Sequence, residues 1–345
     1  MLPSPEGSNR LRLHNRLRVL ELLVERGRAS RAEIAERISI SKVTVTLIVN
    51  ELIEEGVLLE AGKTEGIVGR PAGLVELHPA TGGVAGLDIQ PQTVGVLQGN
   101  LRGEILYEEV LPVDNTLTDV VVQQLEVLLD SDYPLKQVVI ALPAPIGNDG
   151  LPKAPNSLPQ LEVQQLMAWS VQHDTPIALE NDVKLAAIAE HRSGTARQTD
   201  NFALLAERPS GIGLGLFLGG QLYRGERGFS GEIALLRWPQ GNMLTPLEEL
   251  PLPQREMALA QLISGLAVAL DLSLLVVQQN STGALTLDLT TALLELVPPN
   301  VRVVQSALGE HAPRLGAFLE ATRLAQTQLL QSVAVSAPLA LPNRR

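Results

Sequence analysis

The sequence predicts an α/β chain in two unlike parts: a small helical head carrying a β-hairpin, and a longer body in which Gly-rich strands alternate with apolar helices. Three observations predict it. Residues 1–50 hold nine Lys and Arg against five Glu, a local charge of +4, so the rest of this −11 chain carries −15. Ser30 and Ser41 stand where helix N-caps belong, each ahead of a helical apolar run. From Gly82 onward the texture changes to β-branched strands, glycines and helical runs, the alternation that builds a layered α/β domain.

At 345 residues the chain exceeds one ordinary core, and its 45% hydrophobic content is enough to fill two or three. It has no apolar stretch long enough to span a bilayer, and its Arg-rich start lacks the apolar run of a signal peptide. A cytoplasmic location with no membrane partner is expected. The absence of cysteine excludes disulfides, Cys-ligated zinc and thiol catalysis, and five scattered histidines do not make a metal cluster. Neither a metal nor another cofactor is expected.

In the head, Leu13, Leu17, Leu20 and Val24 recur at the spacing of one buried helical face, and Gly27 stops that helix. Ser30 with Glu33 three residues on reads as a capping box for a short helix from about Arg31 to Arg37. A tight connection through Ser39 and Ile40 reaches Ser41, the N-cap of a third helix ending near Glu55. Two helices joined by so short a turn form a helix-turn-helix. Val45, Ile48, Val49 and Leu52 share the inner face of the third helix, leaving Val43, Thr46, Leu47 and Asn50 outward, with Ser41, Lys42 and Thr44 at its start. That outer face suits the major groove of double-stranded DNA, where Thr and Val meet thymine methyls and Lys42 reaches a guanine edge or a phosphate. A strand at Val57–Glu60, a turn at Gly62–Gly66 and a returning strand at Leu74–Leu77 would form a wing. Gly69-Arg70-Pro71 lies between those strands, where an extended backbone would present Arg70 to the minor groove.

The body opens with strands at Val84–Ile89 and Thr93–Leu97, a helix at Val120–Leu129 and a strand at Gln137–Leu142. A strand from Pro176 to Leu179 then delivers Glu180, Asn181 and Asp182 to the helix Val183–Glu190, and polar groups at a strand's carboxyl end are placed for a ligand. Past Glu256 apolar helices return, a strand follows at Val301–Val304, and Gly309–Leu330 reads as a closing helix. His173, His191 and His311 read as surface or capping residues, and Trp169 and Trp238 as packing.

In order along nearly its full length, the chain resembles the repressor branch of the ROK family (repressors, open reading frames and sugar kinases). The resemblance rests on the winged head with Gly69-Arg70-Pro71, then Pro143-Ala144-Pro145-Ile146-Gly147, Ala154-Pro155-Asn156-Ser157-Leu158, Glu180-Asn181-Asp182, Gly211-Ile212-Gly213-Leu214-Gly215, Gly219-Gly220 and Gly228-Phe229-Ser230-Gly231-Glu232-Ile233. It implies an N-terminal winged helix-turn-helix domain (1–78) and a two-lobed, actin-like body of ribonuclease-H-like topology. Lobe I would span 79–196, with a C-terminal helix (320–345) packing back on it, and lobe II 197–319. The resemblance also implies a carbohydrate between the lobes, held by Asn156, Asn181, Asp182 and Glu232, and assembly as dimers or tetramers. In the family's kinases the residue matching Asp182 is the base.

The departures from the family pattern speak against phosphoryl transfer, which needs glycine loops that bring backbone N–H groups to phosphates. The first such loop stands as Asp88-Ile89-Gln90-Pro91-Gln92-Thr93, the second as Pro209-Ser210-Gly211, and the late glycine cluster as Val276-Val277-Gln278-Gln279-Asn280. The family's Gly-His after Gly-Glu-Ile stands as Ala234-Leu235, so its zinc site has neither His nor Cys here, and Arg237–Gln261 reads as a proline-rich loop in place of the zinc-bearing insertion. The leading expectation is a homodimeric transcriptional repressor, not an enzyme, that reads a pseudopalindromic operator and answers to a carbohydrate. The alternatives are a ROK-type sugar kinase with an extra head, and a regulator that has lost sugar sensing and answers to a protein partner.

Overall fold

Two caps and a glycine shape the head. The computed structural model describes residues 5–63, 73–114, 116–278 and 287–335. Helix α1 (Pro5–Arg26) ends where Gly27 takes a left-handed φ of 77°. Strand β1 (Arg28–Ser30) leads into α2 (Arg31–Arg37), and both halves of the capping box form: Glu33 N–H donates to Ser30 Oγ at 3.2 Å, and Ser30 N–H to Glu33 Oε2 at 2.7 Å. Ser41 caps α3 (Lys42–Glu54), whose inner Val45, Ile48, Val49 and Leu52 are buried. The wing strands β2 (Leu58–Lys63) and β3 (Gly73–Leu77) pair antiparallel, and β1 adds a third strand against β3, a pairing the sequence reading lacks. Arg70, with residues 64–72, lies outside the described residues.

The buried stripe of α1 differs from expectation. Val19, Leu20, Leu22 and Leu23 are buried, while Leu17 and Val24 are only partly so. The reason is tertiary: α1 packs against α3 on one side and against the chain's last helix, α9 (Ala312–Val335), on another, so more of its circumference is covered.

The body repeats one sheet twice. Lobe I has β4 (Gly83–Ile89), β5 (Thr93–Asn100), β6 (Ile105–Pro112), β7 (Leu135–Leu142) and β8 (Ile177–Asn181), in the order β6-β5-β4-β7-β8. Lobe II has β9 (Phe202–Arg208), β10 (Gly211–Leu218), β11 (Gln221–Leu222), β14 (Leu274–Gln278) and β15 (Arg302–Gln305), in the order β11-β10-β9-β14-β15. In both, the first three strands form an antiparallel meander and the last two join it in parallel. That is the ribonuclease-H-like arrangement expected. Helices α4 (Leu117–Leu129) and α5 (Val163–Gln172) cover the outer face of lobe I, and α7 (Leu252–Ala269) and α8 (Leu287–Leu296) that of lobe II. Residues Arg237–Pro246, expected as loop, form a hairpin of β12 (Arg237–Gln240) and β13 (Met243–Pro246), because Gly241 at φ 62° permits a two-residue reversal.

Helix α6 (Asp182–Ser193) lies between the lobes, and every residue from Asp182 to Glu190 is buried. Gly213 and Gly215 of β10 let it approach: a Cβ on them would come within 2.7 Å of Val183 and Ala187 side-chain carbons. Helix α9 packs on α6 and on β4, β5 and β7, starting at Ala312 rather than at 320. Its far end leaves the body, and Val333 enters the core of the head. One helix thus touches the interlobe core and the head.

Candidate functional site

Among the described residues, nothing covers the outer face of α3. Val43 is 70% and Leu47 59% exposed, and Lys42, Thr46 and Asn50 are exposed beside them. Ser41 Oγ accepts the Thr44 N–H at 3.0 Å and lies 2.8 Å from Thr44 Oγ1, so these two hold the N-terminal turn in shape. Thr46 Oγ1 donates to Lys42 O at 2.8 Å. Arg31 of α2 donates to Asn50 Oδ1 at 3.2 Å and to Glu60 at 2.7 Å, so the face is braced from α2 and from the wing. Two exposed aliphatic side chains flanked by a lysine, hydroxyls and a carboxamide offer no packing advantage to an isolated head, but match the methyl and edge chemistry of a DNA groove.

The second site lies between the lobes. Asn181, Asp182 and Glu232 line a cavity of about 100 Å³, together with Arg208, Ser210, Glu248 and the backbone near Gly211. Asn156 is placed differently: its Oδ1 accepts the Leu158 N–H at 2.8 Å, and its neighbours Pro155 and Ser157 line the cavity instead. Asn181 Oδ1 caps α6 by accepting the Lys184 N–H at 3.0 Å, while its Nδ2 reaches Ala144 O at 3.3 Å. Glu232 lies 3.5 Å from that nitrogen. Burial pushes the Glu232 carboxyl up to about 7, against the pull of the Lys184 ammonium and with the help of Asp182.

Two side chains absent from the sequence-based site decide its electrostatics. Lys184, buried on α6, donates through Nζ to Gly228 O, and burial draws its ammonium below the usual lysine range while Glu180 and Glu232 oppose that shift. A lysine inside the run Val183–Ala189 was the only signal for it. Arg208, at the end of β9, crosses to lobe I. Its Nη2 donates to both oxygens of Asp88, at 2.8 and 2.6 Å, and its Nε to Asp182 Oδ2 at 3.2 Å. Gln90 Nε2 bridges the same carboxylates at 3.1 and 3.0 Å, and Asp182 Oδ1 accepts the Val183 N–H at 2.8 Å. Asp182 is fully buried, and that burial raises its pKa despite the guanidinium.

Residues 84–238 match the family model described as ROK family, and residues 12–58 the one described as winged helix-turn-helix DNA-binding. The matched segment of the body is thus similar to a ROK domain, and that of the head to a winged helix-turn-helix. The chain is 25% identical over 228 residues to the xylose repressor of Bacillus subtilis (strain 168), covering 64% of this chain and 59% of that protein. It thus spans about three fifths of the length of the curated relatives it matches. Among solved structures, a ROK family transcriptional regulator described as a homolog of the Escherichia coli MLC protein matches with a TM-score of 0.69 at 17% identity, over 94% of this chain and 99% of that one. A ROK hexokinase from Thermus thermophilus matches with a TM-score of 0.56 at 20% identity, over 71% of this chain and 99% of the hexokinase. The regulator overlays head and body together; the hexokinase covers less of the chain.

Of the histidines, His191 departs from the surface or capping role expected of it. Its ring stacks on Phe217 with centroids 4.5 Å apart, because α6 is covered on nearly all sides.

Proposed function

We propose that the chain is a DNA-binding transcriptional regulator, acting in the direction of repression, whose ROK body is a sensor domain rather than a phosphotransferase. The observation that carries this reading is the outward face of α3. A capped helix with exposed Val43 and Leu47 and polar neighbours is braced for contact, and no described residue covers it. Two copies would present two such helices to the half-sites of a pseudopalindrome. Lys42, Thr46, Leu47 and Asn50 are the groups that would meet base edges or phosphates, with Arg70 as the minor-groove reader.

A carbohydrate fits the cleft by chemistry, since Asn181 and Glu232 offer the carboxamide and carboxylate that hold hydroxyls, and the repressor it resembles in Bacillus subtilis takes its name from xylose. The kinase reading requires Asp182 to accept a proton from a substrate hydroxyl, and here both of its oxygens already accept hydrogen bonds. The helix linking the cleft to the head, α9, gives an effector a physical route to the reader. The test is selection from a randomised duplex library at moderate salt with non-specific competitor. Enrichment of a two-half-site motif supports the reading, and recovery at background level overturns it.

A further inference from the structure

The buried trio of Asp88, Arg208 and Asp182 joins residues of both lobes, and its members are almost wholly withdrawn from water: the Arg208 side chain is 4% exposed, Asp88 9% and Asp182 3%. Lys184 Nζ, also buried, donates across to Gly228 O, and Arg224 Nε to Glu180 at 2.6 Å, whereas further polar links across the cleft are more exposed. Ser157 Oγ donates to Ser210 O at 3.1 Å, and Asn148 Nδ2 to Glu226 O at 2.8 Å, from exposed positions where water replaces them readily. Arg208 is the buried link in which one guanidinium of lobe II holds two carboxylates of lobe I. Its planar fork grips Asp88 with one nitrogen and Asp182 with another, which a lysine's single ammonium does not reproduce.

The position is as telling as the contacts. Arg208 is the last residue of β9, and Pro209-Ser210 turn the chain straight into β10, with Gly211 paired opposite Arg208. The turn that follows β4, Gln90-Pro91-Gln92, sends Gln90 into the same place. Two loops that would approach a phosphate in a glycine-rich form instead deliver a guanidinium and a carboxamide. Both donate to Asp182 Oδ2. The remaining cavity of about 100 Å³ is a third of the smallest usual ligand pocket, roughly 300 Å³.

We propose that Arg208 is a built-in occupant of the interlobe cleft, a positioning residue that holds lobe II against lobe I with no small molecule bound and must withdraw before a polyol reaches Asp182. The polyol clause rests on the carbohydrate reading given above; the strap between the lobes does not. The arrangement makes the closed cleft the resting state, and it makes effector affinity depend on the fraction of molecules in which Arg208 has let go.

The chain contains no cysteine, so Val171→Cys on α5 and Val268→Cys on α7, at positions 84% and 63% exposed, place one spin label on each lobe. Pulsed dipolar spectroscopy then reads the interlobe distance in the full-length protein, alone and with millimolar xylose or glucose. The expected result is one narrow distance in the labelled parent and a broader, longer distribution in Arg208→Met. The double variant Arg208→Met/Asp88→Asn, which leaves a single carboxylate to be buried, repeats the measurement in a protein whose folding does not depend on two unpaired like charges. Sugar titration of the double variant should show binding at least tenfold tighter than the parent. A distance distribution that stays narrow and unchanged in both variants overturns the strap. A distribution that broadens with no gain in sugar binding supports the strap and removes carbohydrate as the ligand, leaving the DNA-reading head untouched.

Discussion

Glu232→Gln tests the electrostatics of the cleft without disturbing its shape. Burial raises the Glu232 carboxyl from 4.5 in the unfolded chain to about 7 in the fold. Between those values the folded protein holds a proton that the unfolded chain has released, so stability falls as pH rises through the window. Below it both states are protonated and above it both are ionised, so this group adds no slope in either range. A shift of about 2.5 units corresponds to ~3 kcal/mol at full strength, and because Glu232 is only partly buried, screening brings the expected loss to roughly 1–2 kcal/mol. Urea unfolding at pH 5, 6, 7 and 8, followed by the fluorescence of Trp169 in lobe I and Trp238 in lobe II, measures it. The parent should lose that amount between pH 5 and 7.5, and Glu232→Gln should be flatter by the same amount and the more stable of the two at the upper end. Parallel curves would refute the assignment of this proton to Glu232.

Ser30→Ala removes the capping-box acceptor at α2 and should cost about 1 kcal/mol, read as an earlier unfolding of the head. Lys42→Ala and Thr46→Ala should each weaken operator binding by about 1–2 kcal/mol, while circular dichroism and the unfolding of the body stay as in the parent. Gly86→Ala places a Cβ within 2.2 Å of the Phe318 backbone nitrogen on α9, where no side-chain motion relieves the clash, and should destabilise the body by about 3 kcal/mol or more in a thermal melt. Val333→Ala removes two methyl groups from the head core and should cost about 1–2 kcal/mol, with faster amide exchange in α1 and the end of α9 but not in β4.

The head was legible because its signals are local. Ser30, Glu33 and Ser41 act within one turn of where they stand, and the four inner residues of α3 repeat at helical spacing. The stripe of α1 was misplaced because α9 covers a second side of that helix, a contact between opposite ends of the chain. In the body, the buried strands β4, β5 and β7 read clearly, the equally buried β9 and β14 were not assigned, and neither was β6. It is a sheet edge with Ile105, Leu106 and Val110 exposed and Glu108 and Glu109 between them, so neither alternation nor an apolar run marks it. The motifs brought Asn181, Asp182 and Glu232 to one cavity, since each follows a strand end or a glycine turn. Arg208 was invisible: a charged residue closing a strand looks solvated until the fold sets it against an aspartate 120 positions away.

The most direct measurement of the central claim is the ratio of affinities of the intact protein for a selected two-half-site duplex and for a scrambled duplex of the same length, at one fixed salt concentration. Sequence reading by α3 predicts a ratio of about 10³ or more, with the specific complex surviving salt that abolishes the other. Equal affinities that vanish together as salt is raised would contradict it, and would reduce the basic head to a non-specific patch on an acidic body.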